Sequence, residues 1–185
     1  MRRERLASRN ADVLNVGQSA FCRRKGLLVS ARLTAVNHDQ NKLDFVERQR
    51  DEFVISTDQQ RLDIPFIHEF LSNSSYWATG RSREVVERSI ANSLNFGIFK
   101  GNEQIGFARV VTDYATFAWL ADVFIIDGYR GRGLGSWLVE VITSHPGLQN
   151  FRRWVLATRD AHELYRRVGF NELREPDRWM ERRND

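Results

Sequence analysis

The chain has 185 residues, and its 42% hydrophobic content, with twelve Phe and five Trp, can fill the core of one domain of ordinary size. No run of eighteen apolar residues occurs, which argues against a membrane-spanning helix, and the single cysteine, Cys22, excludes an internal disulfide and is typical of a reducing compartment such as the cytoplasm. The formal net charge of +4 comes from residues 1–36, where eight basic residues face two acidic ones, so the rest of the chain has no general nucleic-acid surface.

Residues 1–50 show no sustained hydrophobic period and end in a polar run, which predicts a flexible N-terminal extension followed by one domain over residues 51–185. The arginines of this segment resemble those of an organelle transit peptide, although Glu4 and Asp12 count against that interpretation, and a start site placed too far upstream is an equal alternative. Four scattered histidines show no ligand spacing with Cys22 or with a carboxylate, so no metal site is predicted.

Regular elements begin at Phe53 with a short strand, FVIST. Asp63 is a predicted helix cap with Pro65 in the first turn, and a polar linker containing Tyr76 and Trp77 leads to a second helix. The apolar positions expected on the buried faces of these two helices are Ile67, Phe70 and Leu71 in the first, and Val86, Ile90 and Leu94 in the second.

Two strands over residues 96–100 and 104–112 follow, and the Gly-Asn pair between them suits a type II′ hairpin turn. An apolar strand over residues 117–126 precedes a glycine-rich loop and a helix that ends near His145. The strand WVLA, a last helix closed by Gly169, and one or two edge strands in FNEL and RWMER complete the order. This order predicts an α/β (α+β) fold with a mixed sheet flanked by helices.

The loop YRGRGLGS, residues 129–136, joins a buried strand to a helix. Such a loop presents free backbone N–H groups at the positive end of the helix dipole, which is typical of an anion site. The alternative is an arginine-rich surface turn. No GK[ST] follows the glycines and the spacing is not GxGxxG, which disfavours a triphosphate P-loop and a dinucleotide fold.

The chain resembles the GNAT superfamily of acyl-CoA-dependent N-acetyltransferases. Arg130, Gly133 and Gly135 fit its loop pattern [QR]-x-x-G-x-[GA], and a second family pattern matches Ala161, Leu164, Tyr165, Gly169 and Phe170. The resemblance covers about residues 53–181 and implies a mostly antiparallel central sheet with acetyl-CoA as co-substrate. The cofactor-binding residues that it implies are Phe124, Ile125, Ile126, Arg130, Gly131, Arg132, Gly133, Leu134, Gly135, Ser136 and Thr158, the last of which is often Asn in the family.

The resemblance implies a catalytic role for Tyr165, and the residue pattern suggests one for Asp122. Tyr165 would act as general acid on the leaving thiolate, although its position on an apolar helix face also fits a core tyrosine. Asp122 is the only charge in its strand and is the favoured general base, unless it faces solvent or pairs with an arginine such as Arg109. Tyr76 and His162 are weaker candidates, and Tyr76 and Trp77 are also candidates for the amine site.

The implied function is transfer of an acetyl group from acetyl-CoA to a primary amine by direct attack. The alternatives are a non-catalytic acyl-CoA-binding sensor or partner module, and nucleic-acid association through the basic segment. The sequence leaves open the amine, which could be a small molecule or a peptide, and the oligomeric state, with a homodimer as one option.

Overall fold

Six strands form one sheet whose spatial order follows the chain order, as seen in a computed structural model that describes residues 45–183. Neighbouring strands pair antiparallel except the last two, which are parallel. This confirms the predicted mixed, mostly antiparallel sheet. The strands are β1 (Glu47–Arg50), β2 (Phe53–Ser56), β3 (Leu94–Lys100), β4 (Glu103–Thr112), β5 (Phe117–Ile125) and β6 (Arg153–Val155).

The described residues form four α-helices, of which the last follows β6: α1 (Ile64–Glu69), α2 (Arg83–Ala91), α3 (Leu134–Thr143) and α4 (His162–Arg166). As predicted, Asp63 caps α1 by accepting a hydrogen bond from the backbone N–H of Phe66. A π-helical turn, Phe70–Ser74, continues α1. No helix within residues 45–183 is long and apolar enough to cross a membrane.

The sheet begins earlier than the predicted domain boundary, because Glu47–Arg50 form strand β1 inside the segment expected to be flexible. The sequence ERQR has no apolar alternation, since β1 is an edge strand whose side chains are mostly exposed, and periodicity therefore gives no signal there. The rest of the predicted extension, with Cys22 and His38, lies outside the described residues.

Two further predictions about the elements are wrong. Leu94 begins β3 instead of lying on the face of α2, which ends at Ala91. The segments FNEL and RWMER form no strand within the described residues, and a 3-10 turn at Pro176–Arg178 takes their place. Within FNEL, the ring of Phe170 meets the rings of Tyr165 and Trp154 edge-on, whereas Leu173 and, in RWMER, Met180 are exposed.

Each face of the sheet carries its own hydrophobic core. Helices α1 and α2 cover one face, where Ile67, Val86 and Ile90 pack with Phe107 and Phe124. Helix α3 covers the other face with Leu134, Leu138 and Ile142, all almost fully buried. Burial on both faces accounts for the nearly continuous apolar sequences of β3, β4 and β5.

Strand β5 diverges from β6 after only three residue pairs, from Phe117 with Arg153 to Trp119 with Val155. Further along β5, a register shift against β4 places two residues, Asp122 and Val123, opposite one residue of β4. Asp122 has a left-handed φ of +52°, as is common in the distorted backbone of a β-bulge. The bulge and the divergence leave one edge of β5 without a neighbouring strand, and the candidate site lies there.

The imidazole of His145 is buried beyond the end of α3, where its Nδ1 accepts a hydrogen bond from the N–H of Gly147 and its ring lies edge-on to Phe96. Nε2 is buried with no partner among the described residues. Burial, with a smaller effect of the nearby Arg48 charge, lowers the pKa of His145 below its usual value of 6.5.

We predict that lowering the pH from about 7.5 to about 5.5 decreases the free energy of unfolding through His145. The pKa is depressed in the folded state, so the unfolded chain binds more protons in this range, and the free energy of unfolding decreases as the pH is lowered. In His145→Asn, whose side-chain oxygen can still accept from Gly147, urea unfolding should show a smaller difference between the two pH values. The exposed His162→Asn is the control that keeps the full difference. An unaltered pH dependence in His145→Asn would contradict the assignment.

Candidate active site

The glycine loop between β5 and α3 adopts the backbone that its glycines allow. Gly131 and Gly133 have left-handed φ values of +76° and +72°, a conformation that costs a residue with a Cβ about 1 kcal/mol or more. Trp137 makes the first backbone hydrogen bond of α3, to the carbonyl of Gly133. The N–H groups of residues 134–136 therefore have no helical partner, and these residues line a cavity of about 750 Å³.

Of the two loop arginines, only Arg130 lines this cavity. Its Nε donates to the carbonyl of Ile125 at 2.9 Å, and Nη1 lies 2.7 Å from Asp127 Oδ1. Arg132 instead lies over the ring of Phe53, 4.8 Å from its centroid, and pairs with Glu52 at 3.2 Å. The structure thus places Arg132 outside the predicted cofactor site, because the acidic β1–β2 turn attracts its guanidinium.

The other wall of the cavity is the free edge of β5, where Phe124 and Ile125 lie as predicted. Ile126 does not line the cavity, and its N–H donates to the carbonyl of Ile105 on β4. Because N–H groups alternate along a strand, that of Phe124 also points to β4, and those of Val123 and Ile125 point to the cavity. The ring of Phe124 stacks on that of Phe70 at 3.8 Å, which fixes this wall.

Tyr165 lies where the large cavity meets a second one of about 290 Å³, which borders residues 119–123 of β5. Its side chain is 9% exposed, and its hydroxyl makes no hydrogen bond with any other residue in the described part of the chain. Burial, followed by the influence of Tyr76 and Asp160, raises the pKa of Tyr165 to about 12. The hydroxyl therefore keeps its proton at neutral pH. The residues lining both cavities are Tyr76, Trp77, Val123, Asp160, Ala161 and Tyr165.

Asp122 lines the second cavity, but its carboxylate is 3% exposed and fully engaged. Oδ1 accepts from Trp77 Nε1 at 3.1 Å, and Oδ2 accepts from Arg81 at 2.9 Å and from Arg109 at 2.6 Å. Both carboxylate oxygens are thus already engaged by protein donors, two of which are charge-assisted guanidinium groups. These contacts favour the pairing alternative for Asp122 and do not favour the role of general base.

The remaining predicted residues are divided between the cavities. The hydroxyl of Tyr76 accepts from the backbone N–H of Arg159 at 2.9 Å, which fixes its ring at the junction. Thr158 lines the smaller cavity instead of the cofactor cavity, and its Oγ1 accepts from the N–H of Ala161. His162 lies in a separate outer groove beside β6 and lines neither cavity.

The sequence analysis did not name several residues that line the large cavity, among them Phe70, Ser74, Val123, Arg159, Asp160 and Arg167. Arg159 lies 3.7 Å from the ring centroid of Tyr76, and it pairs with Asp160 at 3.6 Å. Arg159 and Asp160 directly follow Thr158, which was expected beside the cofactor, so the sequence could have indicated that they line the site. Nothing in the residue pattern distinguishes Arg167 from other basic residues on a helix surface. No group of three or more His, Cys, Asp or Glu side chains suited to a metal occurs within residues 45–183.

Comparisons with a family model, with solved structures and with known proteins show which family this chain resembles. Residues 92–172 match the family model of the acetyltransferase (GNAT) domain. A crystal structure of a GNAT-family acetyltransferase from Xanthomonas campestris pv. campestris is 46% identical with a TM-score of 0.70, and the match covers 71% of this chain and 93% of that one. A Gibberella zeae protein that is named as an acetyltransferase is 27% identical to this chain, and the match covers 69% of this chain and 84% of that protein. The chain belongs to the GNAT family of acetyltransferases, as predicted.

A GNAT-family structure from Elizabethkingia anophelis, solved with acetyl-CoA bound, shares the fold at 16% identity and a TM-score of 0.52, with 71% of this chain and 88% of that chain covered. In this chain, the free N–H groups and the open strand edge of the large cavity suit an anionic ligand that also carries amide groups.

We predict that Gly133→Glu abolishes coenzyme A binding in isothermal titration calorimetry while the domain stays folded. The substitution strains the left-handed backbone and brings a negative charge to the helix N-terminus where a diphosphate would bind. Gly128→Glu is the matched control, because a Cβ at Gly128 meets open space and the residue does not line the cavity. Unchanged affinity in Gly133→Glu would refute the loop as the anion site.

Proposed function

We propose that this enzyme transfers the acetyl group of acetyl-CoA directly to a primary amine. The observation that carries the proposal is the position of Tyr165, a buried and protonated hydroxyl at the junction of two neighbouring cavities that both border β5. One cavity has the features of a coenzyme site, and the other is of a size suited to a small acceptor. Such a junction brings two substrates together in the orientation that direct transfer requires.

The loop N–H groups of residues 134–136 would bind the diphosphate of the coenzyme, with Arg130 supplying positive charge beside them. Arg159 and Arg167 add further positive charge along the same cavity. The free edge of β5 would pair with the amide groups of the pantetheine arm much as a neighbouring strand would. These contacts account for all the cofactor residues retained in the site: Phe124, Ile125, Arg130, Gly131, Gly133, Leu134, Gly135 and Ser136.

Direct transfer requires that the amine nitrogen attacks the thioester carbonyl carbon, that the C–N bond forms, and that the C–S bond breaks. The cavity-facing N–H groups of Val123 and Ile125 can donate to the carbonyl oxygen as it gains negative charge. The Tyr165 hydroxyl can donate its proton to the sulfur as the thiolate departs. The amine must lose a proton as well, and water at the cavity mouth is the acceptor that we propose.

This assignment gives Asp122 a positioning role in place of the predicted role of base. Its carboxylate binds Trp77, Arg81 and Arg109, and it thereby fixes one wall of the smaller cavity. A binding module without catalytic activity would need neither a second cavity nor an unpaired tyrosine hydroxyl at its junction with the first. The arrangement around Tyr165 therefore favours the enzyme over the acyl-CoA-binding alternative.

We predict that Tyr165→Phe lowers the turnover number at least about tenfold, because general acid catalysis contributes on the order of a hundredfold or more. Coenzyme A affinity should stay the same, since the phenyl ring keeps the packing. Turnover is measured by release of free coenzyme A thiol, with a set of primary amines as acceptors. Tyr114→Phe, at the exposed β4–β5 turn outside both cavities, should behave like wild type. Wild-type turnover in Tyr165→Phe would end the assignment of Tyr165 as the acid.

A further inference from the structure

The smaller cavity contains two guanidinium groups with unused hydrogen-bond donors. Arg81 gives only Nη1 to Asp122, and Arg109 gives Nε to Asp122 and Nη1 to Ser93. Nε and Nη2 of Arg81 and Nη2 of Arg109 have no partner among the described residues. Both arginines line the cavity, so these donors are available to a molecule that enters it.

The charges of this cluster are unbalanced. Arg81 and Arg109 are 22% and 14% exposed, and the single carboxylate between them, that of Asp122, neutralises one of the two positive charges. One positive charge is left in a partly desolvated cavity, where its interaction with an anion is stronger than in water. Apolar surface from Trp77, Trp119 and Leu120 surrounds it and limits screening by solvent.

The opposite end of the cavity has the opposite charge. Asp160 lies at the junction with the cofactor cavity, close to Tyr165, whereas the two arginines line the smaller cavity alone. The Asp160 side chain is 64% exposed, and its contact with Arg159, at 3.6 Å, is long. Its carboxylate is therefore accessible to an incoming ammonium group. The cavity therefore has an accessible carboxylate near the point where the amine must react and an excess of positive charge away from that point.

We propose that the acceptor is a small amine that also carries a carboxylate, which binds to the free N–H groups of Arg81 and Arg109. This inference rests on the proposed acetyl transfer and names the substrate class for it. Arginine suits the task because its planar fork can donate two parallel hydrogen bonds to one carboxylate. Asp122 holds both guanidinium groups in place before the acceptor arrives, which reduces the entropy lost on binding.

The test compares acceptors that differ only by the anionic group: tyrosine with tyramine, lysine with cadaverine, and β-alanine with ethylamine. Phosphoethanolamine with ethanolamine is a fourth pair that distinguishes a phosphate from a carboxylate. For wild type, kcat/KM should be about ten to a hundredfold higher for the carboxylate member of at least one pair, which corresponds to one or two charge-assisted hydrogen bonds.

Arg81→Gln should remove most of this preference by raising KM for the carboxylate acceptor more than KM for its decarboxylated partner. Arg83→Gln is the matched control: Arg83 pairs with Glu87 on the exposed face of α2 and should leave both acceptors unaffected. Thermal melting checks that each variant is folded. Should Arg81→Gln fail to fold, the wild-type comparison decides alone.

The possible failures are distinguishable. If wild type prefers the decarboxylated amines or phosphoethanolamine, the carboxylate inference is overturned while acetyl transfer stands. If the preference survives in a folded Arg81→Gln variant, the arginine site is refuted as its source. If the enzyme binds acetyl-CoA but acetylates no member of any pair, the proposed function fails, and the inference fails with it.

Discussion

The divergence of β5 from β6 is the constraint on which the rest of the site depends. Two parallel strands that stayed paired along their length would close the sheet at this position. Here the pairing ends at Trp119, and the bulge at Asp122 and Val123 changes the direction of β5. The backbone of residues 120–125 is left with one free edge, and an unpaired strand edge in a concave site is a template for a ligand with amide groups. The glycine loop, which follows β5, then lies at the end of that edge.

The bulge is stabilised by the same residues that form the acceptor cavity. A left-handed backbone at a residue other than glycine costs about 1 kcal/mol or more, and Asp122 bears that cost while its carboxylate accepts three hydrogen bonds from Trp77, Arg81 and Arg109. Arg81 lies just before the N-terminus of α2, and Arg109 lies in β4. The cluster therefore links the segment before α2 to the sheet. The geometry of β5 and the charge of the smaller cavity are consequently linked through one buried carboxylate.

Local signals in the sequence were enough to predict most of the fold. The cap at Asp63, the Gly101 turn, whose φ is +58°, and the glycine loop each depend on residues close in sequence. Strand β1 could not be predicted, because an exposed edge strand has no apolar alternation. The C-terminal segment has too few apolar side chains for its sequence to show whether FNEL or RWMER pairs with another strand.

The site was predictable only as far as its residues act through the backbone or through local position. Glycines 131, 133 and 135 and the hydroxyl of Tyr165 lie where the resemblance implied. The position of the Arg132 side chain depends on Glu52, 80 residues away in sequence. The hydrogen bonds of Asp122 depend on Arg81 and Trp77, which lie in a linker distant in sequence. Contacts between side chains so far apart in sequence are set by the tertiary fold, and they cannot be predicted from local patterns in a single sequence.

The most direct test of this account is a crystal structure of the enzyme with acetyl-CoA. We expect the diphosphate at the N–H groups of residues 134–136 and the pantetheine arm along the free edge of β5, with the sulfur near the Tyr165 hydroxyl. A coenzyme bound elsewhere, or a cleft closed by renewed pairing of β5 with β6, would contradict it.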